Sequence, residues 1–316
     1  MALLLSLPAA AQTSRPAIRD TVVPQTFLYA TRGTDSLLLD VYRPHQPRQD
    51  SACILYMFGG GFVSGARNNE GTRAVCQHYV AEGYTVVAID YRLHLKRVDY
   101  DTVRLFNMQS IFRKAISLAA SDCAAAIAYL WPRAEELGIA RNRIALMGSS
   151  AGAISVLQLD YCRANFSEGT SLFEAAAELP PLFRPAAVVA FSGAIYADQG
   201  RPRYAMAPAP TFLLHGVKDR IVHYRKFPPI LREGLYGPKK IVKTLRKENR
   251  GYWFFRYPEV GHEVSAMPIV LLPECCAFID AALAGRVSCY EAECHDDQIQ
   301  PTKWSRMNVF DLYSGK

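Results

Sequence analysis

One pentapeptide, one glycine run and a choice among seven histidines are the places in this chain where residue type and spacing could do chemistry. Gly148-Ser149-Ser150-Ala151-Gly152 directly follows the apolar run 143–147 and directly precedes a helical pattern over 151–165. A serine held in a tight strand-to-helix turn presents its hydroxyl as a nucleophile. The flanking glycines let neighbouring backbone approach without a Cβ clash. By this register Ser150 is the nucleophile and Ser149 the variable position. No lysine follows the glycines, which argues against a phosphate loop. A second glycine element, Gly59-Gly60-Gly61-Phe62, ends the buried run 53–58. Acyl transfer builds negative charge on a carbonyl oxygen, and main-chain amides of a side-chain-free loop can stabilise it. The amide of Ala151, the residue after the nucleophile, is the natural partner donor.

A hydroxyl at neutral pH needs a histidine base, and the base needs an orienting carboxylate. His262 follows an aromatic strand and precedes the last helix, within Val260-Gly261-His262-Glu263, so it occupies a loop at a strand end. His215, in Leu214-His215-Gly216, reads as a structural histidine beside the acid loop. His45, His78, His94, His223 and His295 have no such placement. The carboxylate assigned to the base is Asp219, in the loop after the run 211–214, with Asp198 and Glu263 as alternatives.

These groups need a scaffold that gathers strand ends. The runs 26–30 and 37–42, separated by Arg32-Gly33-Thr34-Asp35, read as a hairpin. The runs 53–58 and 85–89 are continuously apolar, as suits parallel strands covered on both faces. Between them, 69–83 reads as a helix with Gly83 as its cap. An Ala-rich helix over 116–137, strands at 143–147, 186–191, 211–214 and 252–257, helix and loop over 225–249, and a last helix over 267–284 complete the alternation. Such alternation predicts a mostly parallel sheet flanked by helices on both faces, in a single domain over 26–284. The stretch 92–115 reads as an irregular, lid-like insertion, in which Tyr100, Leu105, Phe106, Met108, Ile111 and Phe112 lie among basic residues. It is expected to wall the pocket and limit acyl length. Residues 285–316 read as a polar tail.

Half of the 316 residues are apolar and 21% are charged, which excludes wholesale disorder. No repeat is visible, and no continuous apolar run reaches the roughly 18 residues of a membrane span. Against 29 acidic residues, 36 Lys and Arg leave +7. The densest basic stretch, 225–250, reads as a solvated face, because no nucleic-acid motif accompanies it. Residues 1–11 resemble the remnant of a signal peptide, with Ala9-Ala10-Ala11 as the cleavage site, so a periplasmic or secreted location is expected. Some of the eight cysteines would then pair, Cys289 with Cys294 first. None of the eight shows a metal-binding spacing.

Taken together, Phe58-Gly59-Gly60-Gly61-Phe62, Ala88-Ile89-Asp90-Tyr91-Arg92, Gly148-Ser149-Ser150-Ala151-Gly152, Leu214-His215-Gly216 with Asp219, and Gly261-His262 resemble the α/β-hydrolase superfamily. Within it they resemble bacterial carboxylesterases related to hormone-sensitive lipase and feruloyl-esterase-like enzymes. The order Ser150, Asp219, His262 fits that superfamily and differs from the two common unrelated protease orders. The resemblance spans roughly 37–284. It implies an eight-stranded, mostly parallel sheet, a Ser-Asp-His triad, no cofactor and no metal. It further implies cleavage of short-chain, aromatic or carbohydrate-linked esters through an acyl-enzyme. Many relatives carry histidine where this chain has Phe58, so the glycine loop here is either supported by packing or sits differently, and Gly60 and Gly61 are the amides expected to point inward. A non-catalytic binding protein on the same scaffold and a peptidase of the same fold are the competing readings. The filled triad argues against the first. The second calls for a gating domain of some hundreds of residues, and none precedes the hydrolase-like region.

Overall fold

The computed structural model describes residues 21–103, 105–166, 174–198, 200–297, 299–309 and 311. The expected signal segment 1–11 lies outside them. Twelve strands run in chain order as β1 (Gln25–Arg32), β2 (Asp35–Tyr42), β3 (Cys53–Met57), β4 (Thr85–Ile89), β5 (Ile144–Ser149), β6 (Ala187–Phe191), β7 (Ile195–Ala197), β8 (Thr211–Gly216), β9 (Lys226–Phe227), β10 (Gly234–Tyr236), β11 (Tyr252–Tyr257) and β12 (Cys289–Glu293). Among the described residues five α-helices join them: α1 (Glu70–Ala81), α2 (Leu105–Arg133), α3 (Ala151–Ala164), α4 (Pro238–Lys247) and α5 (Leu272–Leu283).

Nine strands form one sheet in the order β1-β2-β4-β3-β5-β6-β8-β11-β12, and β7-β10-β9 form a small antiparallel second sheet. β2 pairs antiparallel with both β1 and β4, and every other pair in the large sheet is parallel. Every residue of β3, β4, β5, β6 and β8 is buried, as continuous apolar runs require of strands covered on both sides. The path from β3 to β4 moves one way along the sheet and the path from β4 to β5 the other. Right-handed crossovers therefore put α1 and α2 on opposite faces. α2 packs along α3, and α1 is tied to the segment before α5, where the Tyr79 hydroxyl donates to the Pro268 carbonyl (3.0 Å).

Local chemistry sets the element ends. The Asn69 side chain accepts the Thr72 amide at 2.8 Å and starts α1. Gly83, expected as the cap, sits just past its end at φ +87°. α2 begins at Leu105, eleven residues before the expected start at 116, because most of the second half of the presumed insertion is helical. This helix is apolar and long enough to cross a membrane by length and composition alone, but it is a packed element of the fold. Its Asp122 is fully buried and bonds the Arg92 side chain (2.7 Å) and amide (2.8 Å). In α4, Ile241, Val242 and Leu245 face inward while Lys239, Lys240, Lys243 and Lys247 are exposed, the solvated basic face expected from sequence.

The eight strands expected of the sheet are joined by a ninth, β12, drawn from the polar tail and laid parallel on β11. β12 also separates Cys289 from Cys294. Five residues of extended chain span about 16 Å, far beyond the roughly 7 Å a disulfide bridges. That pairing is excluded, and all eight cysteines are free thiols.

Candidate active site

β5 ends at Ser149 and α3 begins at Ala151, so one residue makes the turn. Ser150 takes φ 51° and ψ −115°, a backbone conformation that L-residues rarely adopt. Its amide donates to the Phe191 carbonyl on β6 (2.8 Å). The turn closes only because Gly152 has no side chain: a Cβ there would stand 2.1 Å from the Met57 carbonyl oxygen at the end of β3. The two adjacent serines part company. Ser149 Oγ donates to the Ser265 carbonyl, while Ser150 Oγ stands 2.8 Å from His262 Nε2.

His262 opens a short 3₁₀ turn, His262–Ala266, in the loop after β11. Its Nδ1 lies 2.7 Å from Asp219 Oδ2. A carboxylate only accepts, so Nδ1 carries the hydrogen and Nε2 is left free to accept from Ser150. Asp219 is itself fixed: its Oδ1 accepts the amides of Ile221 and Val222, both at 2.9 Å. Burial pushes the Asp219 carboxyl up, but His262, by charge and hydrogen bond, with His215 and the Val222 amide, outweighs it and holds the group below the usual carboxylate range. His215 is the structural histidine expected. Its Nε2 donates to the Val222 carbonyl (2.8 Å), and burial keeps its pKa below the ordinary value.

The two alternative acids lie elsewhere. Asp198 is exposed, just past β7. Glu263 is buried but turns its oxygens to Gly261, Thr302 and Ser305 rather than to His262.

The glycine loop runs beside the nucleophile; a Cβ on Gly59 would stand 3.2 Å from Ser150 Cβ. The Gly60 carbonyl accepts from the amides of Val63 and Ser64 (both 3.0 Å). In a trans peptide the following N–H points the opposite way, so the Gly61 amide points away from that turn. Ala151 is the first residue of α3, where amides lack intrahelical acceptors. Phe58 supports the loop by packing, one of the two expected alternatives. Its ring stacks on Tyr91 at 4.5 Å, and the Tyr91 hydroxyl donates to the Phe58 carbonyl (2.8 Å).

A cleft of about 640 Å³ opens over Ser150 and His262. None of the described side chains of 92–115 lines it; Ile111, Arg113 and Lys114 line a neighbouring cavity instead. The expected lid is therefore displaced from the nucleophile, because most of its second half is wound into α2. A cleft wall comes from the polar C-terminal segment: Ile299, Gln300, Thr302 and Trp304. Among the described residues no group of three His, Cys, Asp or Glu side chains converges to hold a metal.

Residues 39–195 match the BD-FAE family model. The chain is 31% identical over 125 residues to an ethyl acetate hydrolase of Pseudomonas putida, covering 39% of this chain and 33% of that protein. It is 27% identical over 139 residues to gut esterase 1 of Caenorhabditis elegans, covering 43% of this chain and 23% of that protein. The chain thus matches a third or less of the length of these relatives. In structure it is similar to Thermogutta terrifontis esterase 2 phosphoramylated by tabun, with a TM-score of 0.57 and 17% identity over 87% of this chain and 98% of the other.

Proposed function

We propose that this chain, whose residues 39–195 match the BD-FAE family model and whose fold is similar to that of an esterase, is a serine carboxylesterase acting on small esters with short-chain or aromatic acyl groups, carbohydrate-linked ones included. The observation that carries this reading is the hydrogen-bonded line Ser150, His262, Asp219 opening into a cleft. In this reading Ser150 Oγ attacks the ester carbonyl carbon as His262 Nε2 takes its proton. The carbonyl π electrons move to oxygen, where the amides of Gly60, Gly61 and Ala151 receive the charge. On collapse, the imidazolium returns its proton to the departing alkoxide, leaving acyl-Ser150. Water, activated by the same histidine, releases the acid and restores the hydroxyl. Asp219 holds the tautomer and stabilises the imidazolium throughout.

The test is hydrolysis of phenyl acetate and phenyl butyrate by the purified chain at neutral pH. Stoichiometric labelling of Ser150 by an organophosphate, located by peptide mass, is expected alongside it. Failure of both removes the proposal. Export through the segment 1–11 is part of the same reading, checked by N-terminal sequencing of native protein. A retained Met1 argues against it.

A further inference from the structure

One wall of the cleft is fastened to the catalytic loop, chiefly through one carboxylate. Glu263 is only 6% exposed. Its Oε1 accepts from the Thr302 amide (2.7 Å), the Thr302 hydroxyl (2.9 Å) and the Ser305 amide (2.8 Å). Its Oε2 accepts from the Ser305 hydroxyl and the Gly261 amide, both at 2.8 Å. The Gly261 amide also reaches Ser305 Oγ at 2.9 Å, and a Cβ on Gly261 would stand 2.9 Å from Ser305 Cα. The Thr302 hydroxyl in turn accepts the Trp304 amide (3.2 Å), so the residue Glu263 grips also caps the turn that carries Trp304. Both chain neighbours of His262 are therefore bonded to the segment 302–305.

Resting on the esterase reading above, we infer that the segment 299–305 is the wall against which the alcohol part of the ester lies. In this inference Trp304 sets the preference for that alcohol, and Glu263 is the positioning residue that couples the wall to His262. The direction follows from the chemistry. His262 protonates the leaving oxygen, so the alcohol must leave from the side of His262. The segment is anchored at 261 and 263, which places its wall on that side and away from the acyl chain. An indole offers a broad flat apolar surface, here lining the cleft together with Ile299 and with Gln300, whose side-chain amide also donates to the Asp297 carbonyl. That combination suits esters of aromatic or cyclic alcohols.

Four esters test it: ethyl acetate, 1-naphthyl acetate, ethyl butyrate and 1-naphthyl butyrate. Trp304→Ala is expected to lower kcat/KM for the naphthyl esters about tenfold more than for the ethyl esters. The acetate-to-butyrate ratio should stay within about twofold of wild type, and Trp304→Phe should recover most of the loss. An equal loss on ethyl and naphthyl esters, or a changed acyl ratio in place of a changed alcohol ratio, overturns the inference. Glu263→Gln is expected to raise KM for the naphthyl esters more than it lowers kcat, and to admit protease cleavage within 299–309. Unchanged KM with an unchanged cleavage pattern overturns the coupling. Should Glu263→Gln fail to fold, Ser305→Ala, which removes only the hydroxyl bonds, is read the same way. A wild-type chain inert on all four esters sinks the esterase reading itself, whereas an active chain indifferent to Trp304 sinks only the wall.

Discussion

His215 Nε2 lies 3.4 Å from Asp219 Oδ2, the same carboxylate oxygen that holds His262. Two buried histidines thus share one acid, and burial disfavours the charged form of His215. His215 has a pKa below its ordinary 6.5 because it is buried, with Asp219, His262 and His223 as its charged and titratable neighbours. Between that lowered value and 6.5 the unfolded chain binds more protons than the fold, so stability rises with pH there and is lost as pH falls from about 6.5. His94 and His223, each partly buried and lowered first by that burial, add to the same slope. The Tm should decline as pH drops from 7 to 5, and His215→Gln should make that decline shallower. An unchanged slope would remove His215 from the account.

Asp219→Asn keeps the shape and loses the charge. Its carbonyl oxygen can serve either the amides of Ile221 and Val222 or the ring of His262, and its NH2 group then meets a donor at the other position. A loss of about 10³–10⁴ in kcat is expected on phenyl acetate. Ser150→Ala should lose at least as much while Ser149→Ala keeps most activity, since only Ser150 reaches His262. Circular dichroism should show all three folded.

The Phe58–Tyr91 stack is expected to govern the glycine loop. Tyr91→Phe removes one hydrogen bond to a buried carbonyl, about 1 kcal/mol of stability. It should lower kcat several-fold with little change in KM. Phe58→Ala should cost about 3–5 kcal/mol in urea unfolding, and wild-type kcat in either variant would disconnect the stack from catalysis.

Asp122 and Arg92 form a pair remote from the nucleophile. Asp122→Ala leaves a largely buried guanidinium without its carboxylate, and a loss of about 3–5 kcal/mol is expected. Here kcat at 25 °C should hold, so a matching fall in activity of the folded fraction would show the pair to be part of the site.

Thiol titration separates the cysteines. Cys289 is exposed, while Cys53, Cys76, Cys123, Cys162 and Cys275 are buried. Under native conditions Cys289 should react first, and after denaturation without reductant eight thiols should count, one for each free cysteine. A count of six would mean a disulfide.

The triad was legible in the sequence because each member sits at a strand end beside glycines, a local pattern that needs no knowledge of distant contacts. Gly148 to Gly152 announced the turn, and Gly261 with His262 the base. Glu263 was misjudged as a spare acid for the opposite reason: its partners Thr302 and Ser305 are small polar residues about forty positions on, with no hydrophobic period to betray a docking. β12 was missed likewise. Its residues are mostly exposed, and only pairing with Tyr252–Tyr257 makes them a strand. The start of α2 was hidden by basic and aromatic residues that read as a loop until their neighbours are known.

β12 also gives the large sheet one of its two rims. It is the last strand of the large sheet, and an unpartnered strand edge is a template for further chain. Glu291 and Glu293 lie along this one, with Arg246 and Arg256 drawn onto them from the inner side. Charged side chains held along the rim, each carboxylate paired with an arginine, make it a poor template for a further strand. Those surface pairs are screened by added salt, so the protection of the rim is greatest in dilute buffer.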